Sequence, residues 1–180
     1  MALSTQDPGM TVMDLPDHII VRPACEEDVE AIVTFSAAMA LETEGRQLDI
    51  ARLREGTLTL LNTPDRGFFM VAAIPQEGSE HIIGQLMITF EWSDWRNAVF
   101  WWIQSVYVDP TWRRRGIFRR MHQAVMQEAR ARADICGVRL YVDKDNPVAH
   151  TTYERLGLSR STYQIYESDF VLPPKTSKEG

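Results

Sequence analysis

The sequence predicts a single α/β (α+β) domain in which a mixed, mostly antiparallel central sheet is flanked by about four helices. Two observations carry this prediction. Apolar residues alternate or run continuously over strand length near the start of the chain and again between residues 68 and 108, whereas elsewhere they mostly recur at helical spacing. The length of 180 residues and the apolar fraction of 44% fit one domain with its own core.

The predicted elements follow one another in the order β-α-α-β-β-β-α-β-α-β. The three consecutive strands in the middle are close enough in sequence to form an antiparallel meander. The predicted strands span 18–23, 68–74, 81–90, 99–108, 138–142 and 161–166. The predicted helices span 25–41, 48–61, 116–133 and a last segment that opens at Asn146. We expect residues 1–17 to be a flexible leader and 173–180 a flexible tail around the domain 18–172.

Composition excludes several classes of protein. No apolar run approaches the length of about 20 residues that crosses a bilayer, so we expect no membrane partner. The net charge of −6 argues against a nucleic-acid partner. The two cysteines, Cys25 and Cys136, are far apart and the four histidines lack metal-ligand spacing. We therefore expect reduced thiols, no metal and a cytoplasmic location.

The most informative stretch is a strand that leads into an arginine-rich turn and then a helix. The apolar run Val106–Val108 precedes the turn Arg113–Gly116, and five arginines lie between positions 113 and 120. A helix start offers unpaired N–H groups, and a glycine there lets a phosphate approach the main chain. The pattern indicates either a specific anion site, a solvated basic helix start, or a nucleic-acid patch.

A second motif follows the next short strand. Asn146 is placed as the N-cap of a helix, Pro147 as its first residue and Gly157 just past its end. Ala149 and Tyr153 lie one turn apart on this helix, where they fit ordinary core contacts as well as a functional role.

Together the two motifs resemble those of the GCN5-related N-acetyltransferases (GNAT). The segment from Arg113 matches R/Q-x-x-G-x-G/A, and the segment from Asn146 matches N-x-x-A-x-x-x-Y-x-x-x-G-F/L with Leu158 at its end. One position departs, because Phe118 stands where the family prefers glycine or alanine. The resemblance covers roughly Ile19 to Tyr166 and implies a GNAT-like sheet of six or seven strands with acetyl-CoA as co-substrate.

The resemblance also implies site residues. Tyr153 is the implied general acid, and the main chain of residues 105–108 is implied to face the pantetheine and the thioester oxygen. N–H groups from Arg114 to Arg119 are implied to hold the pyrophosphate. The residues implied to bind the cofactor are Val106, Tyr107, Val108, Arg113, Arg114, Arg115, Gly116, Ile117, Phe118, Arg119, Asn146 and Tyr153.

The group that deprotonates the acceptor amine is open. We favour Glu91, and the other candidates are Glu42, Glu44, Asp94, Asp109 and a base that acts through water. Four of the five tryptophans are concentrated between residues 92 and 102. They indicate either a core or oligomer contact, or an aromatic, acidic acceptor pocket.

The sequence therefore predicts an N-acetyltransferase that moves an acetyl group by direct attack of a primary amine on the thioester. A small metabolite or amino acid is the favoured acceptor, with a protein lysine or N-terminus as the alternative. A non-catalytic acyl-CoA-binding module of the same fold is the rival from another class. A homodimer is a further expectation from the resemblance.

Overall fold

The computed structural model describes residues 18–172, and the predicted leader and tail lie outside these residues. A five-stranded sheet in the order β1-β2-β3-β4-β5 forms its centre. The strands are β1 Ile20–Pro23, β2 Gly67–Gln76, β3 Ser79–Ser93, β4 Ala98–Val108 and β5 Ile135–Leu140. The helices are α1 Val29–Glu44, α2 Ile50–Leu61, α3 Ile117–Ala131 and α4 Pro147–Arg155, with 3-10 turns at Glu26–Asp28 and Pro110–Trp112.

The sheet is antiparallel except at one end. Strands β1 to β4 pair antiparallel, so the predicted meander of β2, β3 and β4 is confirmed. Strand β5 pairs parallel to β4. Parallel neighbours need a crossover, which α3 provides. The start of α3 therefore lies at the end of β4, where the arginine-rich turn is.

Each face of the sheet carries its own core cluster. On one face, α3 packs against Leu86, Ile88 and Trp101 with Met121 and Val125. On the other face, side chains of α1 and α2 meet those of β2, β3 and β4, and this cluster consists of Ile32, Phe35, Leu60, Phe69, Val71, Ala73, Ile82 and Tyr107. Within residues 18–172, no helix is both long enough and apolar enough to cross a bilayer.

The predicted strand count is wrong for the described residues, which contain five strands instead of six or seven. Residues 161–166 do not form the predicted final strand, and Tyr163 and Tyr166 are 78% and 91% exposed. An alternating pattern makes a strand only where a neighbour pairs with its main chain and covers one of its faces. The fifth strand also begins earlier than expected, at Ile135.

Candidate functional site

Strands β4 and β5 separate part of the way along their length. They are paired from Val99 opposite Ile135 to Ile103 opposite Leu140, and β4 continues without a β5 partner to Val108. The Asp109 N–H donates to the Ile83 carbonyl on β3 at 3.0 Å. Because successive main-chain groups of a strand point in opposite directions, those of Val108 point towards the side that β5 has left. The main chain of Val108, one of the predicted cofactor residues, therefore faces the opening that β5 leaves, where its carbonyl accepts the Arg113 Nε–H and its N–H points the same way.

A bulge marks the start of this open stretch. Gln85 lies opposite Tyr107, but Met87 lies opposite Gln104, so β4 contains one extra residue here. Ser105 at the bulge has a φ of 49°, an unusual value for a residue with a side chain. Such bulges bend a strand and redirect its main-chain groups.

The bulge is supported by a buried amide that sequence reasoning missed. Gln85 is fully buried, and its Nε2 donates to Ser36 Oγ on α1 at 2.8 Å and, at 3.5 Å, to the Ser105 carbonyl. Its Oε1 has no hydrogen-bond partner among the described residues. The signal that could have revealed it is a glutamine among the apolar residues of β3, because a buried amide needs polar partners.

The arginine-rich turn leads directly into the N-terminus of α3. Gly116 is the N-cap with a φ of 74°, and the Arg120 N–H donates to its carbonyl. By helix geometry, the N–H groups of Ile117 to Arg119 precede this first intrahelical bond. A Cβ built on Gly116 would meet no atom closer than the Arg119 guanidinium at 3.9 Å. The space above the turn is therefore open, as a phosphate group that approaches these N–H groups requires.

Arg113 anchors the turn instead of facing this open space. Its guanidinium bonds both oxygens of Glu42 on α1 at 2.6 and 2.7 Å, and its Nε donates to the Val108 carbonyl at 3.0 Å. It also lies over the ring of Tyr107 at 5.2 Å. The Arg113 guanidinium lowers the pKa of the Glu42 carboxyl below its ordinary value. The Arg115 guanidinium lies over the Trp112 ring, and Arg114 adopts a positive φ of 62°.

Helix α4 begins and ends as its sequence predicts. The Asn146 side chain accepts the Ala149 N–H at 3.0 Å, Pro147 is the first residue, and Gly157 follows the end with a φ of 86°. The Asn146 side chain is thus used as a helix cap. Tyr153 is half-buried on this helix, and burial raises the pKa of its phenol above the ordinary value.

Phe118 brings the two motifs together. Its ring meets the Tyr153 ring edge to face, with centroids 5.6 Å apart and an interplanar angle of 70°. It also lies 6.0 Å from the ring of His122, one turn further along α3. His122 is buried, and burial lowers the pKa of its imidazole, with a further contribution from Arg130. The residue that departs from the family pattern is therefore the one that contacts the predicted acid.

The five predicted bases all have partners in the structure. Glu42 is held by Arg113, as described. Glu91 pairs with Arg139 at 2.8 Å and accepts the Trp102 indole N–H. Asp94 accepts the Trp95 N–H, and Asp109 accepts both the N–H and the hydroxyl of Thr111. A carboxylate oxygen of Glu44 lies 3.2 Å from the Arg46 Nε. The hydrogen bonds from Thr111 lower the pKa of Asp109. No group of His, Cys, Asp or Glu side chains within residues 18–172 is placed to hold a metal ion.

The tryptophans divide between core and surface. Trp101 is buried in the cluster under α3, whereas Trp102 on the opposite face stacks on Tyr141 with centroids 4.3 Å apart. Trp92 and Trp95 are 60% and 85% exposed. Only Trp102 therefore lies beside the pair of Glu91 and Arg139, on the half-exposed face of β4.

Comparisons with known proteins fit this geometry. The family model described as "Acetyltransferase (GNAT) family" matches residues 33–158, well over half of the chain. The chain belongs to the GNAT acetyltransferase family. Membership confirms the resemblance that its two motifs suggested, and it implies acetyltransferase activity on a fold that binds acetyl-CoA. No curated protein matches the sequence.

Solved structures resemble the GNAT chain over most of its length. A "possible acetyltransferase" from Clostridium difficile 630 is 38% identical, with a TM-score of 0.78 over 87% of this chain and 100% of that one. A predicted acetyltransferase from Clostridium acetobutylicum, solved with acetyl-CoA, is 19% identical, with a TM-score of 0.66 over 83% of this chain and 96% of that one. An aminoglycoside acetyltransferase from an uncultured soil metagenomic sample, solved with sisomicin, is 18% identical, with a TM-score of 0.65 over 84% and 97%.

Proposed function

We propose that this protein is an N-acetyltransferase that uses acetyl-CoA to acetylate a primary amine of a small metabolite or amino acid. One observation carries the proposal: the part of β4 that β5 has left leads through the Gly116 turn into α3, where Phe118 contacts Tyr153 on α4. The open main chain suits a pantetheine arm, the helix start suits a pyrophosphate and the phenol suits a departing thiolate.

Each of these parts has one task in the proposed reaction. Acetyl-CoA supplies the acetyl group as a thioester, and the amine nitrogen attacks its carbonyl carbon as the carbon–sulfur bond breaks. N–H groups of residues 105–108 stabilise the charge on the carbonyl oxygen. N–H groups from Arg114 to Arg119 bind the pyrophosphate, and nearby arginine side chains meet the 3′-phosphate.

Tyr153 protonates the departing thiolate. A phenol has an ordinary pKa of about 10 and a thiol about 8.5, and burial raises the pKa of Tyr153 further. The phenol therefore carries its proton throughout the neutral pH range and can donate it as the bond to sulfur breaks.

The amine must lose a proton before or during attack. Trp102, which holds Glu91, lies three residues before Ser105, about 10 Å along the strand at the usual rise. We therefore propose that Glu91 accepts this proton through water, while Arg139 and Trp102 hold the carboxylate in place. The aromatic face formed by Trp102 and Tyr141 lies next to it and suits a small cationic acceptor. The aminoglycoside acetyltransferase with sisomicin is a neighbour of the same fold that holds a small amine.

The first experiment measures binding and turnover separately. Acetyl-CoA is expected to raise the melting temperature in proportion to RT ln(1 + [L]/Kd), and an amine panel with a free-thiol assay identifies the acceptor. The panel includes a lysine peptide and a free peptide N-terminus. No thermal shift at millimolar acetyl-CoA would contradict the proposal. Binding without turnover on any amine would favour the non-catalytic module.

The second experiment tests the acid. Tyr153→Phe removes only the hydroxyl, and kcat is expected to fall by about a hundredfold or more, as for other general acids. Tyr163→Phe is the matched control, because that tyrosine is 78% exposed and belongs to neither motif. If both variants turn over like the wild type, the assignment of Tyr153 is wrong.

The remaining expectations stay proposals. Cys25 and Cys136 are both free thiols, which supports a reducing, cytoplasmic location. A homodimer stays a prediction.

A further inference from the structure

Phe118 stands at a position where its family uses glycine or alanine, so its side chain must have a place of its own. That place is the contact between α3 and α4, where the ring meets Tyr153 edge to face, with centroids 5.6 Å apart and an interplanar angle of 70°. This arrangement lies within the favourable range for aromatic pairs, because the positive ring edge faces the negative ring face. The extra side chain is therefore accommodated by a specific contact.

The two partners differ in how well they are fixed. Phe118 follows Ile117, which is 2% exposed, and both lie in the first turn of a helix whose inner face is buried. Tyr153 lies on α4, a helix of nine residues in which none is buried. A helix this short is unstable by itself in water, so contacts with the rest of the fold must orient it.

The contact also limits the rotation of the phenol. Within residues 18–172, Tyr153 makes one contact with another ring, and that ring is Phe118. A phenol whose ring packs against another ring turns mainly about its own long axis, and this rotation leaves the position of its hydroxyl oxygen unchanged. Proton transfer depends steeply on such placement, because a shift of about 1 Å can cost a hundredfold in rate.

We propose that Phe118 is a positioning residue, whose ring holds Tyr153 in the orientation from which the phenol protonates the leaving thiolate. The inference rests on the proposed function. It gives Phe118, the residue of the first motif that departs from the family pattern, a role in the proton transfer from Tyr153 in the second motif. Phosphate binding at the same turn uses main-chain N–H groups, so the side chain of Phe118 is free for this task.

The test is a double-mutant cycle with Tyr153→Phe. Phe118→Ala is expected to lower kcat by about tenfold, because neighbouring residues that are coupled show interactions of this size. The KM of this variant for acetyl-CoA should stay within about twofold of the wild-type value. In the Tyr153→Phe background the same change is expected to cost less than about twofold. Phe118→Leu keeps a large apolar side chain next to Tyr153 and is expected to recover most of kcat. It replaces the alanine variant in the cycle if that variant folds poorly.

Phe90→Ala is the matched control. Phe90 is partly exposed and also lies beside two other rings, those of Phe68 and Trp101, but at the other end of the sheet. Its loss is expected to leave kcat unchanged. If Phe118→Ala raises KM for acetyl-CoA and spares kcat, or if its effect on kcat is the same with and without Tyr153, the proposed positioning is wrong.

A spectroscopic readout separates this inference from the proposed function. Fluorotyrosine at position 153 is expected to give one ¹⁹F resonance that is shifted from that of an exposed tyrosine such as Tyr163. Phe118→Ala should move it towards the exposed position. A resonance unaffected by the substitution would overturn the inference even if no amine is acetylated, and a moved resonance would support it in that case too.

Discussion

Helices α3 and α4 meet where Phe118 contacts Tyr153, but the fold holds the two helices in different ways. Five residues of α3 are buried, and they fix the turn at its N-terminus to the sheet. None of the residues of α4 is buried. Its position depends on the Asn146 cap, on the glycine that ends it and on the contact between Tyr153 and Phe118. The turn at Gly116 is therefore anchored to the core through α3, whereas the predicted acid lies on an element that local contacts orient.

The largest expected effect comes from the core side of this comparison. Met121 is a fully buried residue of α3, and Met121→Ala should lower the free energy of unfolding by about 2–5 kcal/mol. Urea denaturation measures the change. Val148→Ala on α4 is the control, because Val148 is 76% exposed and its loss should matter by no more than about 0.5 kcal/mol. Similar losses for both would show that α4 is packed as firmly as α3.

The second prediction compares the two glycines at the helix ends. Gly116 and Gly157 both have positive φ, and a Cβ on either would meet no atom closer than 3.9 Å. Alanine at each should therefore cost about 1–2 kcal/mol of backbone strain. Of the two, Gly116→Ala alone places a methyl group at the turn where we propose that the pyrophosphate binds.

Binding of acetyl-CoA, measured by calorimetry, separates the two variants. We expect Gly116→Ala to weaken it by about tenfold, the equivalent of about 1.4 kcal/mol, and Gly157→Ala to leave it unchanged. Equal affinity in both variants would mean that the turn at Gly116 does not hold the pyrophosphate.

The features that could be predicted from the sequence are those set by neighbours in the chain. The cap at Asn146, the proline at position 147 and the spacing of apolar residues along α3 depend on contacts within one turn or one strand. For the same reason the meander was predictable, since its strands follow one another directly. The two motifs of the site belong to this group, because each lies within one strand–turn–helix segment.

The features that the sequence did not reveal depend on residues far apart in the chain. Arg113 pairs with Glu42, which is 71 residues away in the chain, and Arg139 pairs with Glu91, which is 48 residues away. No local pattern specifies such pairs. The strand predicted at residues 161–166 is absent for a related reason. An alternating pattern of side chains is compatible with a strand, but it does not supply the neighbouring strand with which the main chain must pair.

The smallest expected effect concerns the cap of α4. Asn146→Ala removes the side chain that accepts the Ala149 N–H, which should cost about 1 kcal/mol. Asp49→Ala is the matched control, since Asp49 caps α2 by accepting the N–H groups of Ala51 and Arg52. The two variants should lose similar stability, but only Asn146→Ala should loosen the helix that carries Tyr153. We therefore expect kcat to fall about threefold in that variant alone, with faster hydrogen exchange confined to α4. If Asp49→Ala lowers kcat equally, the loss reflects overall stability, and the distinction between a helix fixed by the core and a helix fixed by its ends does not hold.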